Sequence, residues 1–268
     1  MRSKIDSVTN KKIKLAVSLR QRKYREKEGL FLAEGVRLCE MAVDSGWKIS
    51  FGLYSDTAMG DTRAVALLDR LDAQGCHLYS VPEKLLARAC PTEHPQGILL
   101  VMEQKRIRFD ALVPAENSLL IVLDGIQDPG NAGSIIRTAD AAGAQGVILL
   151  EGSVDAFADK TVRATMGSIF HVPILEHAAR KDFLNFIRKE GIRLYATTLD
   201  ASAQAYCDAD FHGRAAIIFG NEANGVKKDL LDAAKKICIP MPGKAESLNA
   251  AAAAAIVTFE ALRQRNCS

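Results

Sequence analysis

The 268-residue chain is poor in the features that mark membrane, secreted and metal-binding proteins. No apolar run approaches the roughly 20 residues that cross a bilayer. The opening stretch MRSKIDSVTNKKIK has no apolar leader core, so a cytoplasmic protein with no membrane partner is expected. The six cysteines, Cys39, Cys76, Cys90, Cys207, Cys238 and Cys267, form no C-x-x-C pair. That spacing argues against zinc and against a disulfide framework, and reduced, mostly buried thiols are the expectation. His77, His94, His171, His177 and His212 lie apart without a ligand spacing, so no metal site is expected. No long internal repeat occurs, and no G-x-x-x-x-G-K-[ST] phosphate loop. A G-x-G-x-x-G fingerprint would need glycine where Ala132 stands in Gly130-Asn-Ala-Gly133. A nicotinamide-dependent enzyme is thereby left as a distant reading.

Net charge is also small, but it is unevenly spread. Residues 1–30 hold ten bases, Arg2, Lys4, Lys11, Lys12, Lys14, Arg20, Arg22, Lys23, Arg25 and Lys27, against Asp6, Glu26 and Glu28. Ten minus three gives +7 there and leaves −4 for the rest of a chain that totals +3. A basic stretch interleaved with Asn10, Gln21 and Tyr24 suits a phosphate backbone, with Lys12, Lys14, Arg22 and Lys23 as candidate RNA-binding residues. A solvated helix face is the alternative.

With 48% apolar and 25% charged residues, the chain reads as globular, and its length favours two domains. Residues 1–104 alternate helix and strand: helices over 11–21, 36–43, 62–73 and 83–89, strands over 30–34, 49–54 and 77–81, and a closing strand over 97–102. Residues 105–118 carry no sustained period and end in a Pro, Asn and Ser cluster, which marks a linker. From 119 to 268 apolar strands without alternation (119–123, 147–150, 172–175, 193–197, 215–219 and 237–239) are separated by helices. That pattern means a mostly parallel α/β sheet covered on both faces. Ligands of such sheets sit at the C-terminal ends of the strands.

Three strand ends carry unusual chemistry. LDGIQDPGNAGSIIRT (123–138) turns from a strand into a helix that presents Asn131 and Arg137. IIFGNEANGV (217–226) ends an apolar strand in Gly220, Asn221 and Glu222. IPMPGKAESLN (239–249) leads through two prolines and a glycine to Ser247, Leu248 and Asn249, and then to six alanines. Ser247 or Asn249 is positioned to cap that helix, and alanine lets its backbone approach a neighbour closely. A carboxylate and a guanidinium are costly near a core without a task.

In order and spacing these stretches resemble the three motifs of the SpoU/TrmH-type RNA ribose 2'-O-methyltransferases, of the SPOUT class. Asn10-Lys-Lys-Ile-Lys14, Phe31-Leu-Ala-Glu-Gly35 and Thr92-Glu-His-Pro-Gln-Gly97 resemble the substrate-binding domain that precedes the catalytic domain in many members. The resemblance implies a C-terminal trefoil knot, a smaller N-terminal α/β domain for RNA, and a homodimer paired through the knotted domain. It implies S-adenosylmethionine as cofactor, bound at Gly220, Ile239 and Leu248, with the turn near Leu199 contributing. Arg137 corresponds to the family's catalytic arginine; Asn131, Glu222, Ser247 and Asn249 complete the implied catalytic set. Ala223 departs from the pattern, since many members have glycine after the glutamate. Ribosomal RNA is favoured over transfer RNA, because a separate basic domain suits a site within a structured RNA. An RNA-binding assembly factor that has lost the chemistry is the runner-up, disfavoured by the intact polar set.

Overall fold

A computed structural model describes residues 2–112, 115–200 and 202–266. Val113 and Pro114, within the expected linker, and Cys267 lie outside the described residues. The chain forms two compact units, one of the residues up to Lys105 together with Phe157–Phe170, the other of Arg106–Ala156 with the residues from His171 onward.

The first unit contains β1 (Arg2–Lys4), α1 (Lys11–Ser18), α2 (Arg22–Glu28), β2 (Leu30–Glu34), α3 (Val36–Asp44), β3 (Ile49–Tyr54), α4 (Asp56–Met59), α5 (Thr62–Ala73), β4 (Leu78–Ser80), α6 (Glu83–Ala89) and β5 (Ile98–Glu103). Its mixed sheet has the order β1-β4-β3-β5-β2. The expected closing strand β5 lies inside that sheet, antiparallel to both β2 and β3. The helix expected over 11–21 stops at Ser18, and a second helix follows it. Asn10 caps the first, accepting from Lys12 N at 2.8 Å. Gly29, at φ 64°, ends the second in a conformation that costs glycine nothing. Strand β1 carries two cations in three residues, so no alternation betrays it; Arg2 is held by Asp69 and Asp72.

Phe157–Phe170, which includes α8 (Asp159–Ala164), closes the core of this unit. The Phe157 ring lies 4.9 Å from that of Phe31, and Trp47 Nε1 donates to Phe170 O at 3.1 Å. Of Met166, Ile169 and Phe170, expected as core or subunit contact, Ile169 and Phe170 are buried core while Met166 is exposed.

The second unit runs β6 (Leu119–Asp124), α7 (Pro129–Ala141), β7 (Gly146–Leu150), β8 (Ile174–Ala178), α9 (Arg180–Lys189), β9 (Arg193–Thr197), β10 (Gln204–Ala205), β11 (Ala215–Gly220), α10 (Lys228–Ala233), β12 (Lys235–Cys238) and α11 (Ala250–Asn266). All seven strands are parallel, in the order β10-β12-β9-β11-β6-β7-β8. Every residue of β6 is buried, as expected of a strand covered on both faces. Phe109 and Leu112, from the stretch expected as linker, pack into this core, Phe109 stacking on Phe186 at 4.9 Å.

Chain order reverses on either side of β6: β7 continues one way and β11 pairs on the other edge. The C-terminal ends of β6 and β11 therefore bound the crevice where ligands of such sheets bind. Helix α11 packs on α7 through Ala254, Val257, Thr258 and Ala261, all buried. Ala252 instead faces outward, so the alanine run seals only one side of the helix. Arg265 fastens the far end, donating to Ser118 O at 3.1 Å and Gly213 O at 3.0 Å.

Candidate active site

The first loop is shaped by Asp128, whose carboxylate caps α7 by accepting from Asn131 N at 2.7 Å, while Pro129 takes the first helical position, where no amide is needed. In the second loop the Asn221 side chain organises the turn. Its Oδ1 accepts from Ala223 N and Asn224 N, each at 3.0 Å, and its Nδ2 donates to Gly125 O at 2.8 Å, which ties this loop to the first. Ala223 thus fits: it sits in a turn whose positive φ is taken by Gly225. The third loop ends at Asn249, which caps α11 by accepting from Ala251 N at 2.9 Å and Ala252 N at 3.3 Å.

Asn131 joins the three loops. Its Nδ2 donates to Glu222 Oε1 at 2.8 Å, and its Oδ1 accepts from Asn249 Nδ2 at 2.9 Å. The Asn131 amide donates to a carboxylate through its nitrogen and accepts from another amide through its oxygen, so the order Asn249, Asn131, Glu222 fixes the direction of both bonds. Beside this chain lies a cavity of about 590 Å³, bounded by Leu199, Gly220, Glu222, Ile239, Ser247, Leu248 and Asn249 among others. All four residues expected to bind cofactor are in its wall. Leu199 is 69% exposed and Leu248 40%, two apolar side chains left open at the cavity. Asn131 and Arg137 do not line it.

Arg137 stands apart. Six residues separate it from Asn131 along α7, about 9 Å of rise and about 240° of rotation, so the two cannot share a face. It is exposed and makes no hydrogen bond or ion pair among the described residues. The candidate RNA-binding residues lie in the first unit: Lys12 has its Nζ 4.5 Å from the Phe51 ring centroid, Lys14 is exposed, Arg22 pairs with Glu26 at 2.6 Å, and Lys23 lies 5.9 Å from the Tyr24 ring centroid. Arg25, counted with them in the charge tally, is buried and donates to Leu19 O at 2.8 Å.

Residues 118–259 match the SpoU rRNA Methylase family, and residues 10–100 match the MRM3-like substrate binding domain. The chain belongs to the SpoU rRNA methylase family. This SpoU protein is 36% identical over 256 residues to the 23S rRNA (guanosine(2553)-2'-O)-methyltransferase RlmP of Bacillus subtilis, covering 95% of this chain and 97% of that one. Its fold matches the AdoMet-bound rRNA methyltransferase of Sinorhizobium meliloti at TM-score 0.87 and 36% identity, covering 98% of each chain. It matches the methyltransferase AviRb of Streptomyces viridochromogenes, in complex with AdoMet, at TM-score 0.85 and 30% identity, over 97% and 100% of the two chains. The expected class, an S-adenosylmethionine-dependent 2'-O-methyltransferase, is the class of these relatives.

The site of this SpoU protein fits that cofactor on its own geometry. The cavity volume lies in the range of small-molecule sites. At Gly220 a Cβ would come within 2.2 Å of Gly225 C and Val226 N, so the wall there is bare main chain pressed against main chain. The sequence reading missed Asp124, which is buried at the end of β6 and accepts from Lys227 N at 2.7 Å, pinning the far side of the second loop. Its position at the last residue of an apolar strand was the available signal.

Burial pushes the Asp124 carboxyl above the usual carboxylate range, against the lowering effect of the Lys227 amide. A raised folded value means that its contribution to stability is full below the ordinary carboxylate pKa and is lost as pH rises through the raised value. Asp124→Asn keeps an acceptor for Lys227 N and removes the titration. Melting temperatures across pH 3 to 8 are expected to fall less with rising pH in the variant than in the wild type; parallel curves would contradict this.

Proposed function

We propose that this protein transfers a methyl group from S-adenosylmethionine to a ribose 2'-hydroxyl of RNA, ribosomal RNA in preference to transfer RNA, as a cytoplasmic homodimer whose knotted C-terminal domain holds the cofactor. The observation that carries the reading is the junction of three loops at Asn131, set beside a cavity with a main-chain wall.

The cofactor, when bound, supplies an electrophilic methyl. Gly220, Ile239, Leu248 and Leu199 would hold it, the apolar side chains excluding water. Asn131 locks Glu222 and the start of α11 relative to each other, so the groups facing the ribose need no reorganisation as charge develops. Ser247, exposed beside Asn249, offers a hydroxyl to the substrate. The planar guanidinium fork of Arg137 suits holding a phosphate and the developing alkoxide better than removing a proton. Its separation from the cavity suits delivery to the partner's site.

The dimer reading rests on α11. Ala252, Ile256 and Phe259, at helical spacing, form an outward stripe, with Ile256 37% and Phe259 47% exposed. A second copy of the same helix is the occupant. Phe259→Glu is expected to shift sedimentation from dimer to monomer while far-UV circular dichroism stays native; a dimeric variant would reject that surface.

Residues 1–104 are read as the RNA-binding domain. Reversing Lys12, Lys14, Arg22 and Lys23 to glutamate is expected to weaken RNA binding by about a hundredfold or more at low salt and to flatten its salt dependence, with S-adenosylmethionine affinity unchanged. RNA affinity that survives the series would sink this part of the reading. The whole is tested by mapping ribose methylation across ribosomal RNA from cells with and without the protein: one site is expected to vanish in its absence, and an unchanged map with an altered transfer-RNA pattern would overturn the preference.

A further inference from the structure

We infer that the first unit carries a second binding site, a pocket for one unstacked nucleobase of the RNA with its adjoining phosphate, between the start of α3, the Gln96 turn and the Arg163–Met166 turn. The inference rests on the RNA reading above and deepens it.

The pocket measures about 160 Å³, below the range that encloses a cofactor-sized molecule, and suits a single ring system. Leu38, Met41 and Met166 give it apolar faces; Arg37, Arg163 and Gln96 give it polar edges. Its frame is fixed by packing. Gly35 at φ 93° and Gly167 at φ 95° turn the chain where a Cβ would meet Gln96 Oε1 at 2.7 Å and Met41 Cε at 2.1 Å respectively. The Glu34 carboxylate accepts from the Thr92 hydroxyl and from Thr92 N at 3.3 Å, and Gln96 Oε1 accepts from Val36 N at 3.3 Å. Phe31-Leu-Ala-Glu-Gly35 and Thr92–Gly97, whose roles the catalytic reading leaves open, are the segments that build it.

Two features of the pocket serve no contact inside the protein. Met166 holds φ 51°, a left-handed conformation unfavourable for an unbranched side chain, and leaves 41% of its surface exposed. Arg37, one residue into α3, is exposed and has no partner among the described residues. A thioether and alkyl faces accept the flat side of a base of any sequence, and a guanidinium both stacks and pairs with phosphate. Duplex RNA hides its bases, so a base that enters a pocket of this size comes from a loop, bulge or single strand.

The test uses the full chain and short single-stranded RNAs, compared with a ribose-phosphate strand of the same length lacking bases, by fluorescence anisotropy. The wild type is expected to prefer the base-bearing strand by about tenfold, and Arg37→Ala and Met166→Gly each to erase most of that preference. Met166→Gly removes the apolar face while relieving the backbone, so its melting temperature should hold or rise. S-adenosylmethionine affinity should be unchanged in both. Variants that retain wild-type preference overturn the pocket. Equal wild-type binding of the two strands also overturns it and leaves the RNA reading standing, whereas a wild type that binds neither strand brings down both.

Discussion

Replacing Arg137 with alanine is expected to lower the methyl-transfer rate by about a hundred- to a thousandfold while leaving folding and cofactor affinity as they are. The side chain is exposed, makes no hydrogen bond or ion pair among the described residues, and stays out of the cavity wall. Its removal therefore breaks no packing and takes nothing from the cofactor. What it takes away is a planar guanidinium fork, which explains why Arg137→Lys should rescue little: an ammonium offers a point charge without the paired geometry. Transfer of labelled methyl to ribosomal RNA, with calorimetry for S-adenosylmethionine and a melting curve, separates the outcomes. Normal transfer, or a variant that unfolds, would refute the assignment. If the arginine serves the partner's cavity, mixing Arg137→Ala with a cofactor-site variant should restore part of the activity through mixed dimers.

Gly220→Ala is expected to do the opposite, lowering stability and cofactor affinity together. The added Cβ would lie 2.2 Å from Gly225 C and Val226 N and 2.6 Å from Gly225 O, main-chain atoms that cannot rotate aside. Forcing them apart costs about 3 kcal/mol, a fall of roughly 10 °C in melting temperature for a chain of this size. It also opens the second loop away from Asn131. Gly225→Asn is the control for folding: Gly225 sits at φ 65° with nothing within 4 Å of a Cβ, a conformation asparagine accepts, so that variant should keep the wild-type melting temperature. Melting curves on both variants and cofactor calorimetry on Gly220→Ala decide the matter; wild-type affinity in Gly220→Ala would show that the close main-chain approach at Gly220 does not shape the cavity.

Much of this was written locally in the sequence. Apolar strands such as β6 announce their burial on both faces, because five consecutive apolar side chains, Leu119 to Leu123, leave neither face for water. The polar residues of the three motif stretches stand out because asparagine, glutamate and arginine at the ends of such strands have no packing reason to be there. Family, reaction class and cofactor followed from their order. Strand β1 and helix α2 were not legible: three residues with two cations, and a helix of seven residues with one buried side chain, carry no period for a pattern to detect.

Sequence alone singled out candidate residues for the site, since chemistry is a property of side-chain type and spacing. Only tertiary structure decided how they combine. That Asn131 holds both Glu222 and Asn249, 91 and 118 residues away, is a consequence of strand order and has no local signature. The same holds for the separation of Arg137 from the cavity, which follows from helix rotation, and for the burial of Arg25, which removed one cation from the basic stretch. Phe157–Phe170, encoded between β7 and β8, closes the core of the first unit, because Trp47 and Phe31 there supply aromatic partners that sequence distance conceals.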